Sequence, residues 1–198
     1  MGIGKQAKTL TNKQIDSVLD YLSRSRSPKR NQAIFLLSVK AGLRAKEIAF
    51  LRWEMLLDAD GTLSNFLALP NNASKGRSGR RIPLNRQLKE TLLDLFQIES
   101  KRKEFDAKDF VVRTQRSKQT SSQAVINMFA SWYRDLGMIG CSSHSGRRTF
   151  ISNTARKIST VGGSLRDIQA LAGHSNLQTT QRYIECDSES QRKVVDLV

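Results

Sequence analysis

The segment PKRNQAIFLLSVKA, from Pro28 to Ala41, constrains the fold more than any other. Pro28 suits the first turn of a helix, where its missing N–H leaves no bond unmade, and Gly42 suits the position that ends one. Between them, Ala33 to Val39 is almost continuously apolar. A helix that is apolar on every side has no face to give to water, so this one belongs in the core.

The flanking segments read as elements that can cover it. In TLTNKQIDSVLDYLSRS a threonine stands at the capping position, and Ile15, Val18, Leu19 and Leu22 recur on one helix face. LRAKEIAFLRW predicts a short third helix with Ile48 and Leu51 inward. The pattern then changes. DADG is a turn, TLSNFLALP reads as a strand, NNASKGRSG as a polar turn, and RRIPL as a second short strand, which together predict a hairpin. Helical spacing returns at Leu88, Leu92, Leu95 and Phe96, and again at Val125, Met128, Phe129, Trp132 and Leu136, with DFVVR between them as a short strand. A helix is expected from about Ser145 to Ile158, then a break at VGGS, a short helix lined by Leu165, Ile168 and Leu171, a turn at Gly173, and a last helix beginning in NLQTTQRYI. The expected fold is mainly α with a small antiparallel β-sheet, an α+β class.

Charge narrows the partners. The 198 residues carry 33 Lys and Arg against 18 Asp and Glu, a net charge of +15. Such a field attracts polyanions and speeds encounter with them, and nucleic acid is the usual partner. No apolar run approaches the ~20 residues of a membrane span, and MGIGKQAKTL lacks the apolar core of a signal peptide. Two cysteines, Cys141 and Cys186, make a poor disulfide framework, which points to a reducing cytoplasm, here in company with the nucleoid.

Four short pieces carry residues suited to phosphodiester chemistry: GLRAKEI with Arg44, ASKGRSGRR with Lys75, HSGRR with His144 and Arg147, and LAGHSNLQTTQRY with His174 and Tyr183. Attack on a phosphodiester needs a nucleophile, cations on the non-bridging oxygens and an acid for the leaving oxygen. Guanidinium binds phosphate oxygens through paired hydrogen bonds and stays charged. An ammonium at a hairpin tip could protonate a leaving oxygen, and a phenol beside cations could be activated as a nucleophile. Each residue also has an ordinary reading: a solvated arginine or lysine, a turn histidine, a tyrosine packed on its ring. Cys141, His144, His174 and Cys186 are zinc-capable, but their spacing fits no compact zinc motif, and no acidic cluster is arranged to hold magnesium. The expectation is no metal and no cofactor.

In this order the four pieces resemble the tyrosine recombinase, or phage integrase, family from about Leu10 to Tyr183, with LAGHSNLQTTQRYIE and GLRAKEIAFLRW the most specific matches. The resemblance implies that Arg44 and Arg147 clamp the scissile phosphate, Lys75 is the general acid, His144 assists proton transfer at Tyr183, and His174 hydrogen-bonds the phosphate. The same resemblance implies that Tyr183 would form a 3′-phosphotyrosyl bond and that Glu47 would support the site without reacting. Arg77 or Arg80 could take the register of the hairpin lysine. Arg77, Arg80, Arg81 and Arg148 are expected on DNA. One departure is HSGRR where the family often has HxLRH, which places Gly146 and Arg148 at altered positions.

The expected organisation is a short extension over 1–9, a catalytic domain over 10–183, and a tail over 184–198 whose apolar KVVDL suits docking on a neighbouring subunit. Because family members usually carry a preceding core-binding domain, the chain reads as an excised fragment or as a compact recombinase similar in size to the short fimbrial invertases. The implied partner is double-stranded DNA, bound by a homotetramer across two sites, with room for accessory DNA-bending proteins and with no membrane. The competing reading is a regulator without catalysis, since LRDIQALAGHSNLQTTQRYI has the length and glycine turn of a helix-turn-helix.

Overall fold

The computed structural model describes residues 7–70, 79–114, 117–183 and 195–196. Helix α2 (Pro28–Ala41) runs through the centre, buried at every residue from Ala33 to Val39, and ends at Gly42 with a left-handed φ of 67°. Helix α1 (Asn12–Ser23), α4 (Arg86–Glu99) and α6 (Ser145–Lys157) pack against it. Each fully buried Leu, Ile or Phe stabilises the fold by about 1.5–3 kcal/mol. The central helix and its coverings therefore form the main energetic unit.

The local signals behave as chemistry dictates. The Thr11 hydroxyl accepts the Gln14 N–H while the Gln14 side chain accepts the Thr11 N–H, which fixes the start of α1. Asn85, Ser121 and Asn176 likewise cap α4, α5 (Ser122–Asp135) and α8 (Leu177–Gln181) through side-chain oxygens. At α7 (Leu165–Ala172) the Asp167 carboxylate accepts both the N–H and the hydroxyl of Ser164. The short helix α3 (Ala45–Ala49) leads into a 3₁₀ turn over Trp53–Met55 and packs on α5. Strands β1 (Phe66–Leu69) and β2 (Arg80–Pro83) pair antiparallel, with Leu69 opposite Arg80 and Phe66 opposite Pro83.

One expected strand is reduced to a single bridge. Phe110 pairs with Arg52, and the Val111 N–H donates to Leu51 O. The segment it pairs with then enters the 3₁₀ turn after Arg52, so no ladder can extend, although Val111 and Val112 are buried as their apolarity predicts. A second small core, Ile151, Ile168 and Ala172, gathers α6, α7 and Tyr183 beside the main one. The start of the described chain is tied down by long-range bonds. Leu10 N–H donates to Thr149 Oγ1, Lys8 N–H to Gly140 O, and Arg148 Nη1 to Ala7 O. Among the described residues no helix is long and apolar enough to cross a membrane.

Candidate active site

Helices α2 and α7 both end pointing at one place. A helix C-terminus leaves carbonyls without intrahelical partners and carries partial negative charge. The guanidinium of Arg147, from the first turn of α6, answers both ends: Nη1 donates to Gly42 O at 2.6 Å and Nη2 to Ala172 O at 2.7 Å. Arg147 is only 4% exposed. Burial, and then the charges of Arg44 and Arg80, pull its pKa down to about 10, so it remains a cation at neutral pH. Gly146 makes this approach possible. A Cβ there would lie 2.4 Å from Ser38 Oγ, so the first turn of α6 sits against α2 with no space for a side chain. That is the packing reason for HSGRR.

Glu47 organises two further arginines. Its carboxylate accepts the Arg44 N–H at 2.8 Å and Arg44 Nη1 at 2.9 Å. On its other side Arg80 binds it through two parallel bonds, Nη1 to Oε1 at 2.9 Å and Nη2 to Oε2 at 3.0 Å. Burial alone would raise the Glu47 pKa; the hydrogen bonds and charge of Arg80, then those of Arg44, override this and hold it below the ordinary carboxylate range. Arg80 Nε also donates to Leu171 O, which joins the hairpin to the end of α7. Three guanidiniums thus face one carboxylate, which leaves two positive charges uncompensated among these four groups.

Gly173, left-handed at φ 62°, ends α7 and delivers His174. Its backbone is held by reciprocal bonds with Gln169, His174 N–H to Gln169 O and Gln169 Nε2 to His174 O. The ring bonds Thr180 Oγ1 through Nδ1 at 3.0 Å and stacks on Tyr183 with centroids 5.6 Å apart and planes 22° apart. Burial, then the charges of Arg147, Arg44 and Arg80, lower the His174 pKa to about 4, so the imidazole is neutral at pH 7. Tyr183 sits in the turn just after α8, half-buried against the second core. A cavity of about 360 Å³ opens beside it, lined by Ala7, Ser142, His144, Arg147, Arg148, Thr179, Arg182 and Tyr183. His144 is exposed at the start of α6.

The structure therefore brings Arg44, Glu47, His144, Arg147, His174 and Tyr183 together from three separate stretches of chain, around 44–47, 144–147 and 174–183. Lys75 and Arg77 lie outside the described residues. Arg80 departs from the expectation of a DNA contact: its side chain is 5% exposed and turned inward onto Glu47 and Leu171 O. Arg81, the next residue, points outward with its guanidinium 3.9 Å over the Phe66 ring. Arg148 is half-buried and lines the cavity while holding Ala7 O. Sequence reasoning did not single out Thr180 or Arg182. The first is fully buried three residues after Leu177 on the same face of α8, and the second reaches the cavity from beside Tyr183.

A buried cationic cradle beside a phenol and a neutral imidazole is the kind of site that handles a phosphate ester. Residues 8–190 match the phage integrase family, and the chain belongs to that family. It is 30% identical over 195 residues to the tyrosine recombinase XerA of Pyrococcus horikoshii, covering 96% of this chain and 60% of the relative. It is 29% identical over 178 residues to the tyrosine recombinase XerC of Pseudomonas fluorescens, covering 89% and 53%. The chain thus spans between half and two thirds of the length of these curated relatives. Its fold is like that of a XerA recombinase crystal structure, with a TM-score of 0.74, 17% identity and coverage of 100% of this chain and 66% of the other. It is also like the Tn1549 transposon integrase in complex with transposon right end DNA, with a TM-score of 0.73, 19% identity and coverage of 100% and 67%.

Proposed function

We propose that the chain is the catalytic domain of a site-specific DNA recombinase that breaks and rejoins strands through a 3′-phosphotyrosyl intermediate. The observation that carries this reading is the placement of Tyr183, stacked on His174 and lining one cavity with Arg147. In the proposed reaction Tyr183 Oη attacks the scissile phosphorus and gives up its proton with help from His144. The bond from phosphorus to the 5′ oxygen breaks, and Lys75 protonates that oxygen. Arg44 and Arg147 hold the non-bridging oxygens, where negative charge grows, and His174 donates to one of them. Glu47 positions Arg44. The new phosphotyrosyl ester conserves the bond energy, so a 5′ hydroxyl from another duplex can reverse the step with no nucleotide cofactor.

The substrate under this reading is double-stranded DNA, a substrate consistent with the DNA complex named for the Tn1549 integrase. Strand exchange between two duplexes calls for a homotetramer, with the segment over 184–198 docking on a neighbour and accessory DNA-bending proteins as further partners, all in the cytoplasm at the nucleoid. Arg81 and Arg148, with Arg77, supply backbone contacts. Among the described residues after Gly173, the regulator reading finds no helix long enough for recognition. Helix α8 has five residues, about 7.5 Å of length, and its inward residue Thr180 holds His174.

A duplex nicked near the cleavage point traps the covalent step, because the released fragment diffuses away. The expected result is a denaturant-resistant protein–DNA adduct that disappears in Tyr183→Phe while DNA binding survives. Binding by the unaltered chain with no adduct would return the regulator reading.

A further inference from the structure

The ring of His174 has one proton to place, and its neighbour decides where it goes. Thr180 Oγ1 lies 3.0 Å from Nδ1, in a residue with 0% exposure. A hydroxyl brings one proton and can accept others. No other side-chain partner of this hydroxyl is found among the described residues. If Nδ1 carried the proton and donated to Oγ1, the hydroxyl's own proton would be buried without an acceptor, an arrangement folded proteins avoid. If the hydroxyl donates to the Nδ1 lone pair, both groups are satisfied, and the ring proton must sit on Nε2. That nitrogen projects away from Thr180 and has no bond to any described residue, in a ring close enough to feel the charges of Arg147, Arg44 and Arg80.

We propose that Thr180 is a positioning residue that sets His174 in the Nε2–H form, so that the imidazole presents a donor to an anion held by the arginine cluster. The role in cleavage rests on the recombinase reading; the tautomer itself does not. Thr180 also fixes Tyr183, whose N–H donates to Thr180 O at 3.0 Å. One side chain on α8 therefore sets the donor while its backbone holds the tyrosine in register. The two rings held in this way stack on each other.

The chain has only two histidines, so long-range ¹H–¹⁵N correlation spectra of the histidine-labelled protein can be assigned with a His144→Gln variant. The expected pattern for His174 in the unaltered protein at pH 7 is Nε2 protonated and Nδ1 bare. Thr180→Val keeps the shape, removes the hydroxyl and should let the Nδ1–H form appear; Thr180→Ser should restore the original pattern. On nicked DNA, Thr180→Val should form adduct roughly tenfold more slowly, the lower end of the loss seen when the partner that fixes the tautomer of a metal-bound histidine is removed. Its Kd for DNA should be unchanged, and Thr180→Ser should recover the rate. An Nδ1–H form in the unaltered protein would overturn the proposal, whatever the variants do. So would an Nε2–H form that persists in Thr180→Val. If the unaltered protein shows the expected tautomer but forms no adduct, the recombinase reading fails and the tautomer assignment stands.

Discussion

Arg147 is hard to account for by stability alone. Moving a guanidinium out of water costs several kcal/mol even after relaxation, and Arg44 and Arg80 add repulsion. Two helix-end carbonyls offset part of this, but they use only some of its five N–H donors. The remaining donors and the uncompensated charge suit an anion that becomes more negative as it reacts. Arg147→Ala should therefore slow adduct formation by roughly 10²–10³, the usual cost of losing one preorganised transition-state donor, while raising Kd only a few-fold. Equal losses in rate and affinity would assign Arg147 to binding alone. His174 has a measurable signature of the same electrostatics. Its folded pKa of about 4 lies below the unfolded value of 6.5. Between these two values the folded state binds fewer protons than the unfolded state, so stability should fall as pH drops from about 6.5 towards 4. Urea unfolding across that window should show a smaller loss in His174→Gln than in the unaltered protein. Identical pH slopes would mean that the ring is neither buried nor crowded by these cations as the structure has it.

At the scale of elements, two glycines separate backbone strain from steric contact. Gly137 and Gly173 both have left-handed φ, 64° and 62°. A Cβ at Gly137 meets nothing within 4 Å, whereas one at Gly173 would lie 2.7 Å from Arg80 Nη1. Gly137→Ala should cost about 1–2 kcal/mol from conformation alone. Gly173→Ala should cost about 1–3 kcal/mol more, because the Arg80 bridge between Glu47 and Leu171 O must shift. Thermal unfolding of both variants tests the difference, and equal losses would deny Arg80 its structural part. The same bridge shows what the sequence made legible. The capping threonine before α1, the apolar spacing of the helices and the glycines at 42 and 173 placed almost every helix; the caps at Ser121 and Asn176 were not read from the sequence. Strand alternation also held the signal for Arg80: it shares a face with Ile82, which is inward, while Arg81 faces out. In an arginine-rich hairpin that period-two signal is easily read as a single basic patch. What the sequence could not show were contacts that depend on tertiary approach, such as Glu47 with Arg80 or Leu10 with Thr149, since no local pattern encodes a bond across 33 or 139 residues.

For the whole molecule, the net charge of +15 attracts polyanions from any direction, so charge alone cannot say which face would receive the duplex of the recombinase reading. The architecture narrows the choice. Ala7 lies on the rim of the cavity, α6 opens with His144 there, and Arg182 projects from the turn that carries Tyr183. A duplex seated over that cavity would place a phosphate against Arg182, and each phosphate neutralised adds about 0.9 to the slope of log affinity against log salt. Arg182→Ala should therefore reduce that slope by roughly 0.9 and weaken binding uniformly across DNA sequences. Its own side chain is exposed and lies outside the two hydrophobic cores, so the fold should remain intact. Binding titrations from low to moderate salt give the slope directly. If the slope of Arg182→Ala matched that of the unaltered chain, the duplex would lie elsewhere, and the cavity beside Tyr183 would no longer be the place where the molecule meets its substrate.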